Sequence, residues 1–383
     1  MSEPIVQLSA ADFEEAMDFM NLVFSGYSPT DFAKLLPLLY RPTDEHMACN
    51  YAIRQQGRIR AVVGLFPLQW QVGQTLLKVA GIGGVSTHPN HRSGGLMKQL
   101  MQHCVAQMKT QGYHLSWLGG QRQRYLYHGY EKCGVGLSLS LSRSNLRHCF
   151  AGEPALRFEP LAATDQAGLS RAQELHGTQP AHARRVPEDF YLHCVSWHHR
   201  PFAALEAGGR MVGYLVANAK GDAVVELVGE SEEVGMEMAR CWAVRGDQGI
   251  NLDFSPTAAG LIRRLGQVCE GVSVHASGNW QVFAWEEVLG ALLQLHRAAG
   301  PLPAGRVVVG IEGYGRLALE VESEQTRVTR TDEAPAVEGS APLMLRLLCG
   351  PLPPSQVVGL PAGVALLGAW CPLPLFWARQ DGV

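Results

Sequence analysis

Phosphate is bound where a strand ends in a glycine-rich turn and a helix begins at once, and one stretch of this chain has that order. It is GIGGVSTHPNHRSGGLMKQLM, residues 81–101. The first turn of a helix leaves backbone N–H groups without internal partners at the positive end of the helix dipole. Anions bind there, and glycines let them approach the main chain closely. Arg92 adds a charge suited to a pyrophosphate. A dinucleotide GxGxxG fingerprint does not fit, because the glycines fall in the wrong order and no acidic residue follows a second strand about 20 residues on. A Walker loop fails for want of GK[ST].

Other chemistry-bearing residues lie within reach in sequence. Tyrosines recur at 125, 127 and 130 in YLYHGY, and a phenol can donate a proton. Tyr125 also reads as an ordinary packed aromatic. The cluster His193-Cys194 with His198-His199 suggests a metal, but no second ligand pair of matching spacing follows, so core or surface histidines are expected. Cys133 has no base beside it in sequence and reads as a buried thiol.

The elements that must position these residues are legible. Residues 9–24 predict a helix with Ser9 as cap and Phe13, Met17, Met20 and Phe24 along one face; 31–39 predict a shorter one. From Asn50 the texture turns to strands and hairpins, the second hairpin centred on Gly73-Gln74. TLLKVAGIGGVST reads as a central strand. Leu96, Leu100, Cys104 and Met108 give the helix at about 96–110 a buried stripe, which Gly112 closes. Strands at 113–119 and within CGVGLSLSL flank a short helix near Arg122–His128. Strand, loop, helix and strand around a parallel pair make an α/β sandwich. A linker is expected at 151–158, a second mixed region to about 285, a Pro/Gly boundary at 300–305 and an α+β tail beyond.

Bulk composition limits the alternatives. A chain of 383 residues exceeds one ordinary core, so two or three domains are expected. With 46 % hydrophobic and 17 % charged residues it is globular rather than disordered. A net charge of −3 argues against nucleic acid as a partner. Nine cysteines without CxxC pairs predict reduced, mostly buried thiols. No signal pattern or membrane-length apolar run is present, so a cytoplasmic location is expected.

The run VSTHPNHRSGGLM resembles the coenzyme A pyrophosphate loop of the GNAT acetyltransferases, R/Q-x-x-G-x-G/A. Arg92 and Gly95 match, and Met97 stands where the last small residue is usual. That substitution is similar to the enhanced-intracellular-survival (Eis-like) branch, whose loop resembles HRRRGLL; here Ser93 and Gly94 replace two of its arginines. YLYHGY is similar to that branch's Y-x-x-x-G-Y/F.

The resemblance implies tandem GNAT-like domains, 1–150 catalytic and 151–297 without a cofactor loop, then a sterol-carrier-like α+β domain at 298–383. It implies acetyl-CoA as cosubstrate, no metal, and a primary amine of an aminoglycoside-like molecule or of lysine as acceptor. Cofactor contacts would come from Val85, Ser86, Thr87, Arg92, Ser93, Gly94, Gly95, Leu96, Met97 and Gly120. Tyr125 would be the general acid, with Tyr127 second choice, and the carboxylate of Val383 the base. Phe24, Tyr27 and Phe32 would line an acceptor pocket or else belong to the core. The branch also implies a homo-oligomer, commonly a hexamer. A non-catalytic acyl-CoA sensor and a lipid carrier stand as alternatives.

Overall fold

The structure is a computed structural model that describes residues 4–26, 30–245, 249–323, 325–360 and 364–383. Its strands form three sheets. The first has the order β1 (Ile5–Gln7), β2 (Asn50–Gln55), β3 (Arg58–Val72), β4 (Thr75–Thr87), β5 (Leu115–Leu118), β15 (Gly278–Val282) and β6 (Glu131–Cys133), with β9 (Ala181–Ala183) added to the outer part of β3. The second runs β14 (Gly271–His275), β7 (Gly136–Leu141), β13 (Ile250–Phe254), β12 (Ala223–Gly229), β11 (Met211–Ala217), β10 (Arg200–Leu205) and β8 (Arg157–Pro160). The third runs β18 (Thr326–Arg330), β17 (Gly315–Val321), β16 (Gly305–Ile311) and β19 (Val337–Gly339).

The expected elements form for the reasons the sequence offers. The helix Leu96–Thr110 buries Leu96, Leu100, Met101, Cys104 and Met108 against Ile53, Val63, Ala80 and Ile82 of the first sheet. Each such aliphatic side chain contributes about 1.5–3 kcal/mol on leaving water. The helix Phe13–Phe24 covers the other face with Met17, Phe19 and Met20. The third sheet closes over Trp285–Ala299 and Ala341–Cys349, and its interior is filled by Val309, Leu317, Met344, Leu348 and Trp370. No helix among the described residues is long and apolar enough to cross a membrane.

Strands are exchanged across the boundary expected at 150. β7, which precedes residue 150, pairs with β13 and β14 in the second sheet. β15 returns from the second region and inserts between β5 and β6 of the first. The two sheets are thereby sewn together by chain as well as by packing.

Candidate active site

The site forms where β4 loses its parallel partner. β4 pairs with β5 from Val79↔Leu115 to Ile82↔Leu118, where β5 ends. β4 continues to Thr87, so its edge from Gly83 onward has no strand neighbour on that side among the described residues. Toward β3 the register steps from Val62↔Ser86 to Gly64↔Gly83, leaving Gly84 and Val85 opposite Val63 alone. Gly84 adopts the left-handed φ of +57° that this bulge requires. A bulge re-aims the backbone groups beside it, here at the mouth of the opening between β4 and β5.

The loop after β4 is fixed before the helix starts. Pro89–His91 make a single 3₁₀ turn, and His91 Nδ1 lies 3.0 Å from Gln55 Oε1 on β2. Ser93 (φ +69°) and Gly95 (φ +75°) are both left-handed. Gly95 takes the N-cap of Leu96–Thr110 without any side chain to cap it. The first-turn N–H groups are therefore left to a ligand, and the dipole favours an anion there.

A cleft of about 680 Å³ opens at this point. Of the residues expected to hold a cofactor, it gathers Val85, Ser86, Thr87, Arg92, Ser93, Gly95, Leu96 and Met97. Gly94 and Gly120 do not line it. A β-carbon on Gly120 would sit 2.7 Å from the Tyr125 ring, so that glycine makes room for the tyrosine instead. Lys98, Arg124 and His128 complete a basic rim that the sequence reading missed. The only signal for them was helical spacing from Arg92 and Tyr125.

Tyr125 sits in the short helix Arg122–Leu126, which the Arg122–Glu131 ion pair anchors with an Nη2–Oε2 distance of 2.7 Å. It is 5 % exposed, and burial raises its phenol above the ordinary value while Arg124 pulls the other way. Tyr127 is 90 % exposed on the same turn. The third tyrosine, Tyr130, is buried and exchanges a 2.7 Å hydrogen bond with Ser116.

Val383 lies against β4 on one face. A β-carbon on Gly83 would be 2.7 Å from its carboxyl carbon, and one on Gly81 would be 2.7 Å from its Cγ2. Gly81 and Gly83 alternate along the strand, so their missing side chains make one shared space for this residue.

The expected acceptor residues separate. Phe24 borders the 680 Å³ cleft and packs on Phe32 in a tilted pair with ring centroids 4.8 Å apart. Phe32 itself is buried in the core against Tyr40, so it belongs to packing and not to a pocket wall. Tyr27 lies outside the described residues. His193 and His199 are buried beside the 376–383 segment, and no group of three or more His, Cys, Asp or Glu among the described residues could hold a metal ion. Burial, with Cys349 nearby, pushes the Cys133 thiol well up.

Residues 5–138 match the family model described as an acetyltransferase (GNAT) domain. The chain carries a GNAT acetyltransferase domain. The bulged β4, the open β4–β5 pair and the uncapped helix all lie within that GNAT domain, which is the domain of an N-acetyltransferase enzyme. The fold of the whole chain is shared more widely. A GCN5-related N-acetyltransferase from Kribbella flavida is 19 % identical with a TM-score of 0.68, over 100 % of this chain and 98 % of that one. A GCN5-related N-acetyltransferase from Anabaena variabilis is 15 % identical with a TM-score of 0.66 and full coverage of both chains. Eis1 from Mycobacterium abscessus is 15 % identical with a TM-score of 0.66, over 99 % of this chain and all of that one. No curated protein matches by sequence.

Proposed function

We propose that the protein transfers an acetyl group from acetyl-CoA directly to a primary amine, without an acyl-enzyme. The observation that carries this is the opening of β4 from β5 beside an uncapped, Arg92-flanked helix. Each part of acetyl-CoA has a fitting partner. The helix N-terminus with Arg92 and Lys98 suits the pyrophosphate. The free edge of Gly83–Thr87 suits the amide-bearing arm, which would add to the sheet as an extra strand does.

The chain's own groups then divide the proton work. A neutral amine nitrogen attacks the thioester carbonyl carbon, a new C–N bond forms, and the C–S bond breaks. Backbone N–H groups at the β4 bulge face the charge that develops on the carbonyl oxygen. Tyr125 donates its phenolic proton to the leaving sulfur. The carboxylate of Val383, seated on Gly81 and Gly83, accepts the proton lost by the amine.

A second cavity of about 530 Å³ supports a small molecule as acceptor. Trp117, Trp197 and Trp377 wall it, Gly382 borders it, and Asp253 offers a carboxylate. That volume suits a drug-sized ligand, and the aromatic faces and the Asp253 carboxylate suit cationic groups, with Arg379 a competing charge in the same lining. An aminoglycoside-like polyamine fits this better than the lysine of a folded protein. The filled interior of the third sheet favours a structural role for residues 298–383 over lipid carriage, and its class is the α+β one expected.

Thiol release from acetyl-CoA with a panel of polyamines, aminoglycosides and lysine peptides tests the proposal. Release with small amines, lost in Tyr125→Phe, is the expected result. Tight acetyl-CoA binding with no release for any acceptor would establish the sensor reading instead.

A further inference from the structure

The second sheet repeats the feature that makes the first one a site. β12 and β13 are parallel and pair only at Ala223↔Asn251 and Val224↔Leu252 before they part. The helix that follows β12, however, begins with Glu232 and Glu233, charges that repel a phosphate from its N-terminus. The opening holds protein instead. Val225 and Glu226 of β12 and Phe254 of β13 line a cavity together with Phe376, Trp377 and Asp381.

Bonded to Glu226 and Asp381 of that lining is Arg185, whose side chain is fully buried. Nε and Nη2 bond the Asp381 carboxylate at 2.7 and 3.0 Å, while Nη1 and Nη2 bond Glu226 at 3.1 and 2.8 Å. Tyr214 donates its hydroxyl to Glu226 as well, and His193 Nδ1 stands 3.4 Å from Asp381. The neighbouring Gln380 meets His199 Nδ1 at 2.7 Å and donates to the Ser196 carbonyl at 3.2 Å. The Trp377 indole closes the turn on the Asp381 carbonyl at 2.9 Å.

We infer that the second unit is a receptor for the 376–383 segment and that Arg185 is a positioning residue, holding Asp381 so that Val383 stays on Gly81 and Gly83. This rests on the proposed role of Val383. Two residues span at most about 7 Å of extended chain, so a fixed Asp381 leaves Val383 little freedom. A guanidinium fork fixes a carboxylate in two directions at once, which a lysine ammonium cannot do.

The test uses Arg185→Lys, which keeps the buried charge and loses the fork, in the full chain and in a chain extended by Gly-Ser beyond Val383. The expected result is a KM for acetyl-CoA within about twofold of wild type, and kcat lower by one to two orders of magnitude. Acceptor kcat/KM should rise tenfold per pH unit toward the amine's own pKa, where wild type levels off, because the amine must then lose its proton unaided. In the extended chain, where the carboxylate is already displaced, the substitution should cost nothing further. An equal loss in both backgrounds, or a folded Arg185→Lys with unchanged kcat and pH profile, would overturn the inference. Trypsin gives a readout free of catalysis. Exposed Arg379 precedes the buried Gln380, so intact mass should show release of residues 380–383 from Arg185→Lys and not from wild type. Inert wild-type enzyme with this protease pattern would sink the acetyl-transfer proposal and leave the receptor standing. Equal resistance of both chains would sink the receptor.

Discussion

At the residue scale, burial separates Tyr125, the first choice of the sequence, from Tyr127, the second. Tyr127 faces water and Tyr130 is committed to Ser116, whereas Tyr125 is buried against Gly120, next in sequence to Arg124 on the rim of the 680 Å³ cleft. Replacing Tyr125 by Phe should lower kcat by about 10²–10⁴ with little change in melting temperature, the range for losing a positioned acid. Tyr127→Phe should be silent in the same thiol-release assay. Gly83→Ala tests the seat of Val383, since the added methyl would meet its carboxyl carbon at 2.7 Å. It should abolish turnover while the acetyl-CoA dissociation constant, read by calorimetry, moves less than about threefold.

At the element scale, the loop and helix of residues 88–110 read clearly because their chemistry is local. A strand's end, an uncapped glycine start and a four-residue apolar stripe are all properties of neighbours in sequence. Arg92→Ala should therefore act on cofactor binding alone. A charge-assisted hydrogen bond contributes about 1.5–3 kcal/mol, so the KM for acetyl-CoA should rise roughly tenfold or more with kcat within a factor of two. The difference should shrink at high salt, since an exposed arginine is screened. If KM stays put, the anion site is not where the helix begins.

At the scale of the whole molecule, the ion cluster of Arg185, Glu226 and Asp381 makes folding sensitive to acid. Arg185 holds both carboxylates below their ordinary range against the burial that opposes it, with Glu226 at about 2. Burial also lowers His193 and His199. The sign is the same for all four groups: each binds a proton more readily unfolded than folded, so stability falls as pH falls. The loss should begin as pH passes below about 6.5 for the histidines and steepen from about 4.5 toward 2 for the carboxylates. Urea midpoints at pH 7.5, 5.5 and 4 should fall in that order. Arg185→Gln, which strands two buried carboxylates, should destabilise by about 3–5 kcal/mol at pH 7 and by less at pH 4.

The sequence by itself determined the α/β character of the first 150 residues, the helix starting at Leu96 and the glycine-rich turn with Arg92 before it. These follow from propensity, spacing and the geometry of a helix end, each settled within some 20 residues of chain. Only the tertiary structure decided that β7 and β15 trade sheets, that Phe32 is core, and that Asp253 shares a cavity with three tryptophans. Only it brought Arg185 against Asp381, 196 positions away. A buried charge finds its partner through the low dielectric of an assembled interior, and nothing in the spacing of two residues that far apart records that they will meet.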